Sequence, residues 1–128
     1  MSTSVTHGIR ITVRPHYEAA HSDPKAGRFL FSYHITIANT GEHTVQLMRR
    51  HWHIWDSLGP AREVEGAGVV GETPVLAPGE TYTYGSYCDL RSAAGRMHGS
   101  YRMRRVDTGE AFDVRIPPFQ LLYPVMAN

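Results

Sequence analysis

The chain has 128 residues, the size of one domain, and at 41% hydrophobic it can bury one core of ordinary size. A charged fraction of 20% and a formal net charge of +1 argue against a strongly polyionic partner. The lone cysteine, Cys88, excludes an internal disulfide, and no stretch approaches the ~20 apolar residues of a membrane span.

The first residues, "MSTSVTHGIRITV", lack a basic segment followed by an apolar run. The expectation is a cytoplasmic protein without membrane insertion, and residues 1–7 read as a flexible end. From there the hydrophobic period is two almost throughout. "IRITVRPHY" alternates Ile9, Ile11 and Val13 with polar residues. "FLFSYHITIAN" carries Phe29, Phe31, Tyr33, Ile35 and Ile37 on one unbroken face, which predicts a long strand packed on one side. "NTGE" at 39–42 is a turn. "TVQLM" at 44–48 alternates Val45 and Leu47, and "HWHIWD" at 51–56 sets Trp52 and Ile54 against His51 and His53.

"REVE" at 62–65 reads as a short strand, and "TYTYGSY" at 81–87 alternates Tyr82 and Tyr84. Residues 88–96 have room for one helical turn at most. "SYRMRRV" at 100–106 alternates Tyr101 and Met103 with arginines, and "AFDVRI" at 111–116 alternates Phe112, Val114 and Ile116. "PP" at 117–118 predicts a break before a last edge strand, "FQLLY". Residues 124–128 read as a second flexible end. Seven to eight short strands without helix predict an all-β fold, an antiparallel sandwich or a barrel, in a single domain over 1–128.

"GAGVVG", residues 66–71, matches G-x-G-x-x-G, the dinucleotide-binding string. That motif needs a helix after it, whose N-terminus receives the phosphates. Pro74, Pro78 and Gly79 forbid one here. From Glu63 to Leu90 there is no lysine or arginine, while Glu63, Glu65, Glu72, Glu80 and Asp89 would repel phosphate. The string therefore reads first as a glycine-rich crossover between sheets, with Gly66, Gly68 and Gly71 supplying positive φ or close approach. A partner-binding surface and an anion-binding nest are the other readings.

His51 and His53 share one strand face, but two ligands fall short of the three or four a metal site needs, so no metal centre is expected. Arg91, Arg96, Arg102, Arg104 and Arg105 form a basic run with little aromatic interleaving. It reads as a solvated face, or as the counterpart of the acidic 63–89 stretch, rather than a nucleic-acid surface. No nucleophile elbow or carboxylate pair stands out, so no catalytic residue is assigned.

Taken together, "EGAGVVGETPVLAPGETYTYGSYCDL", "GRMHGSYRM" and "FDVRIPPFQL" resemble the ApaG domain family, as do "IRITVRPHY" and "QLMRRHWHIWD". The resemblance covers about residues 5–124. It implies a β-sandwich similar to fibronectin type III or immunoglobulin domains. It also implies a non-enzymatic protein-interaction module without cofactor, linked to cobalt resistance and magnesium efflux. The sequence departs from the family pattern at Ala67, Thr73, Tyr87, His53 and Trp55. The expected contact loop comprises Glu65, Gly66, Gly68, Val69, Val70, Gly71, Glu72 and Pro74, facing an unidentified protein partner. The alternative is a small-ligand, divalent-cation or nucleotide site on the same loop.

Overall fold

The computed structural model describes residues 1–124. Nine strands follow in chain order: β1 (Ser2–Thr6), β2 (Ile9–Tyr17), β3 (Phe29–Asn39), β4 (Val45–Asp56), β5 (Arg62–Ala67), β6 (Val75–Leu76), β7 (Thr81–Leu90), β8 (Ala94–Arg105) and β9 (Ala111–Leu122). They form two antiparallel sheets, β1-β2-β3-β7 and β5-β4-β8-β9, with β6 pairing β4 beside β5. Setting β1 and β6 aside leaves three strands facing four, the arrangement of a fibronectin type III sandwich.

The alternation read from the sequence places the core. Phe29, Phe31, Tyr33, Ile35 and Ile37 all point between the sheets, where they meet Trp52, Ile54, Tyr101, Met103 and Val114. In β4 the inward residues change parity, from Val45 and Leu47 to Trp52 and Ile54. One extra residue, Met48, opposes β8 at a register shift between Leu47 and Arg49. Two-against-one pairing is a β-bulge, and it lets one continuous strand bury both parities. "TVQLM" and "HWHIWD" are therefore one strand.

Three expectations are corrected. Residues 1–7 do not form a loose end: β1 pairs with β2 from Ser2↔Val13 to Thr6↔Ile9 through a two-residue turn with positive φ at His7 and Gly8. Such turns match the twist of the strands they join. Ser4 Oγ and Thr6 Oγ1 then bond the backbone of Arg115, stitching β1 to β9 across the sandwich. Residues 88–96 hold no helical turn, because β7 runs to Leu90, β8 starts at Ala94, and the Asp56 carboxylate captures the backbone between them.

Pro117 and Pro118 do not break β9. It is an edge strand, and its two prolines sit where β8 shifts register between Met97 and Gly99, so no ladder donor is missed. The last expected flexible residue range, 124–128, lies largely outside the described residues. Two single-turn 3-10 segments, Ala19–His21 and Pro24–Ala26, join β2 to β3; the alternation did not announce them.

Candidate functional site

The sandwich is closed along β1 and β9 and open along the other side. There β5 and β7 are edge strands, and a cleft of about 410 Å³ lies between them. Its floor is Trp52, Ile54 and Met97, its walls include Tyr33 and Tyr84, and its rim carries Val64, Val70, Ser86 and Tyr87. β5 turns Arg62, Val64 and Gly66 inward because they pair with the inward residues Ile54, Trp52 and Arg50 of β4. The Arg62 guanidinium closes one end of the cleft, 3.2 Å from Asp89 and in contact with the Cys88 sulfur. Burial pushes the Cys88 thiol up to about 11, so it stays protonated and inert at neutral pH. Deeper in, the Tyr84 and Tyr101 hydroxyls bond each other, and burial raises both well above the usual phenol range.

The glycine string closes the other end. It is not a crossover between sheets, since it joins β5 to β6, and both pair with β4; the chain changes sheet at 77–80 instead. Val69 and Glu72 exchange backbone hydrogen bonds of 2.8 and 2.9 Å around Val70 and Gly71, whose φ angles are +49° and +78°. This is a two-residue hairpin turn of the type that needs positive φ at both central positions. Gly71 provides that freely; Val70 does not. Gly68 also has positive φ, and a Cβ there would run into the Glu72 carbonyl oxygen. A Cβ on Gly66 would press on the Arg50 guanidinium.

The loop is fixed to the β4 bulge. Gly68 N–H donates to Met48 O at 2.8 Å, and Leu47 N–H donates to Pro74 O at 3.0 Å. Arg50 Nη1 donates to the Ala67 and Gly68 carbonyls at 3.0 and 3.1 Å. The N–H groups of Gly68, Val69 and Glu72 are thus committed to protein carbonyls, which removes three donors from any phosphate cradle.

The contact residues expected from the sequence separate on this geometry. Val70, at 64% exposed, and Glu72 stand at the rim, whereas Val69 is fully buried and belongs to the core. Gly66, Gly68 and Gly71 shape the backbone; Pro74 anchors it. Glu65 points away from the cleft to the outer face of the sheet. There it meets His51, with Glu65 Oε1 3.1 Å from His51 Nδ1. The register that pairs His51 with Glu65 and His53 with Glu63 gathers these four side chains. Glu63 Oε1 lies 3.1 Å from His53 Nδ1 and 3.6 Å from His51 Nε2. The sequence count of two ligands is thereby corrected to three, because antiparallel pairing with β5 supplies a carboxylate that spacing alone did not reveal.

The basic run finds its counterparts on its own sheet rather than in the 63–89 stretch: Arg102 pairs with Asp113 and Arg105 with Glu110, each at 3.3 Å.

A family model described as DUF525, the ApaG domain, matches residues 19–105. Protein ApaG of Anaeromyxobacter dehalogenans strain 2CP-C is 50% identical over 128 residues, the whole of both chains. Protein ApaG of Rhodospirillum centenum is 51% identical over 124 residues, 97% of this chain and 95% of that one. Among solved structures, a Bordetella pertussis protein described as ApaA superimposes with a TM-score of 0.87 at 41% identity, covering 91% of this chain and 94% of its own. The chain belongs to the ApaG domain family.

Proposed function

We propose that this ApaG-family chain is a non-enzymatic protein-interaction module, and that its cleft between β5 and β7 receives an extended, apolar segment of a partner with basic residues beside it. One observation carries the reading. Val70 is a β-branched residue held at φ +49° with its side chain largely in solvent. That conformation costs about 1–2 kcal/mol, and no burial offsets it. The other turn of this type in the fold uses His7, a residue type that tolerates positive φ better. A strained valine at the rim of a cleft is what a contact surface would keep and stability alone would not.

Further support comes from the surroundings. β5 and β7 each pair with one neighbour only among the described residues, so both present free backbone groups beside the cleft. Val64 and Tyr87 extend the apolar rim, and Tyr87 is 66% exposed. Glu72 at the rim and Asp89 at the Arg62 end set carboxylates beside the cleft, which favours basic residues on the partner. On this reading the connection to cobalt resistance and magnesium efflux runs through that partner, in the cytoplasm.

The test uses substitutions that separate folding from contact. Val70→Asn is expected to raise stability by about 0.5–1 kcal/mol, since asparagine tolerates the left-handed conformation. The same change, and Tyr87→Glu, should lower affinity capture of the partner from lysate. Urea unfolding and quantitative capture on the same variants check both halves. A stabilised Val70→Asn protein that captures the same proteins as wild type defeats the proposal.

A further inference from the structure

The outer face of the second sheet carries a side-chain cluster that the cleft does not use. We propose that His51, His53 and Glu63 form a binding site for a zinc-like divalent cation, with Glu65 as the group that orients His51.

One donor atom from each of the three proposed ligands lies within 4.8 Å of the others. Glu63 Oε1 stands at the centre of the group, 3.1 Å from His53 Nδ1 and 3.6 Å from His51 Nε2. Ligand atoms at about 2.0–2.2 Å from a tetrahedral zinc ion are roughly 3.3 Å apart. These two distances therefore already suit one ion shared among the donors.

His51 supplies the second observation. Its Nε2 is shielded from solvent and has no hydrogen-bond partner. The Glu65 carboxylate, 3.1 Å from Nδ1, favours the tautomer with the proton on Nδ1. Nε2 is then left as an unsatisfied lone pair facing the Glu63 carboxylate. Two acceptors facing each other at 3.6 Å are unfavourable unless a proton or a metal cation lies between them, and the nearby His53 nitrogen makes a shared metal ion the arrangement that uses all three groups. A carboxylate behind a ligating imidazole is also how metal sites fix ring orientation and raise basicity.

His98 is placed directly across from His53, and their rings stack at 4.8 Å with 11° between planes. Parallel stacked rings direct their lone pairs side by side rather than toward a common point. His98 therefore buttresses His53 and is not counted as a ligand. A hollow lined by His53, Glu63, Arg96 and His98 opens beside the cluster and leaves room for water as a fourth ligand. Two imidazoles and a carboxylate select borderline cations such as zinc over magnesium, which prefers all-oxygen octahedral sites.

Calorimetric titration of the full chain with zinc is the test, with thermal melts as a folding check. One ion should bind per chain and raise the melting temperature. Affinity should fall at least tenfold in His53→Gln and in Glu63→Gln, and beyond detection in the His51→Ala, His53→Ala double variant. Glu65→Gln should weaken binding by about tenfold although it removes no ligand. An excess of magnesium should not displace the zinc. The proposal is overturned if zinc shows no saturable binding, if magnesium competes equally, or if Glu63→Gln binds as wild type does. Glu63 is exposed, so that last variant decides the matter even if the double variant fails to fold. Unchanged affinity in a folded double variant would assign the binding to the other six histidines and equally refute the site.

Discussion

Gly68→Ala is expected to destabilise the protein by about 3 kcal/mol, read as a lower urea midpoint at unchanged slope. Two costs combine at this residue. Its φ of +61° lies in the region that a Cβ disfavours. The added carbon would also collide with the Glu72 carbonyl oxygen, and that oxygen accepts the Val69 N–H that closes the hairpin. Relief requires the hairpin to open, which would release Val69 from the core. Gly71 is the control: its φ is +78°, but a Cβ there would meet nothing within 4 Å. Gly71→Ala should therefore cost only about 1 kcal/mol. Equal losses in the two variants would show that strain in φ, and not the carbonyl contact, governs this loop.

The same loop shows what the sequence could and could not reveal. Three glycines at this spacing mark backbone constraint, and Pro74, Pro78 and Gly79 show that no helix follows. Both inferences hold in the structure. The string could not show where its constraint is used. Gly68 contacts Glu72, four residues on, and Met48, a bulge residue on β4, so the constraint is local in one direction and tertiary in the other. Nor could two adjacent valines disclose that one is buried and the other exposed. The turn rotates the chain between them, and period-two reasoning stops where a hairpin begins.

The faces of the long strands were legible because burial repeats every second residue, and β3 needs nothing else. The bulge in β4 was not read: the change of parity between Leu47 and Trp52 split one strand into two segments. The cluster around His51 was half legible. Alternation put His51 and His53 on one face; only the β4–β5 register, with Trp52 opposite Val64, brings Glu63 and Glu65 to them. Register depends on the turn at 57–61, and residues of that kind carry little information about pairing offset. The β1–β2 turn was missed for a related reason: His7-Gly8 is a weaker hairpin signal than Asn-Gly.

Asp56 yields the second large effect, far from the glycine string but at the same end of β4 as the outer cluster. It is a buried carboxylate at the point where β7 turns into β8. Arg91 N–H donates to Oδ2 at 2.7 Å, while the Ser92 hydroxyl and Leu58 N–H donate to Oδ1 at 2.5 and 3.3 Å. Ser57 donates in turn to Ser92 Oγ at 2.6 Å, so one carboxylate organises two connections. Asp56→Ala leaves these donors without their acceptor and should cost about 3 kcal/mol. Asp56→Asn keeps the shape but turns an amide N–H₂ toward one donor, and should cost about 2 kcal/mol.

Desolvation pushes the Asp56 carboxyl up, but the bonds from Arg91, Ser92 and Leu58 outweigh it, so its pKa lies below the ordinary value. A carboxyl with a depressed folded-state pKa contributes stability that is fully present above its unfolded pKa, about 3.9. That contribution is lost as pH falls through the lower folded-state value. The stability gap between wild type and Asp56→Asn should therefore stay constant from about pH 8 to pH 5 and narrow below about pH 4. Paired urea unfolding across that range measures the gap directly, and the other titrating groups cancel in the difference. A gap that widened toward acid pH would mean that Asp56 is held protonated, and that the connection between β7 and β8 is built on a neutral acid instead of a charged acceptor.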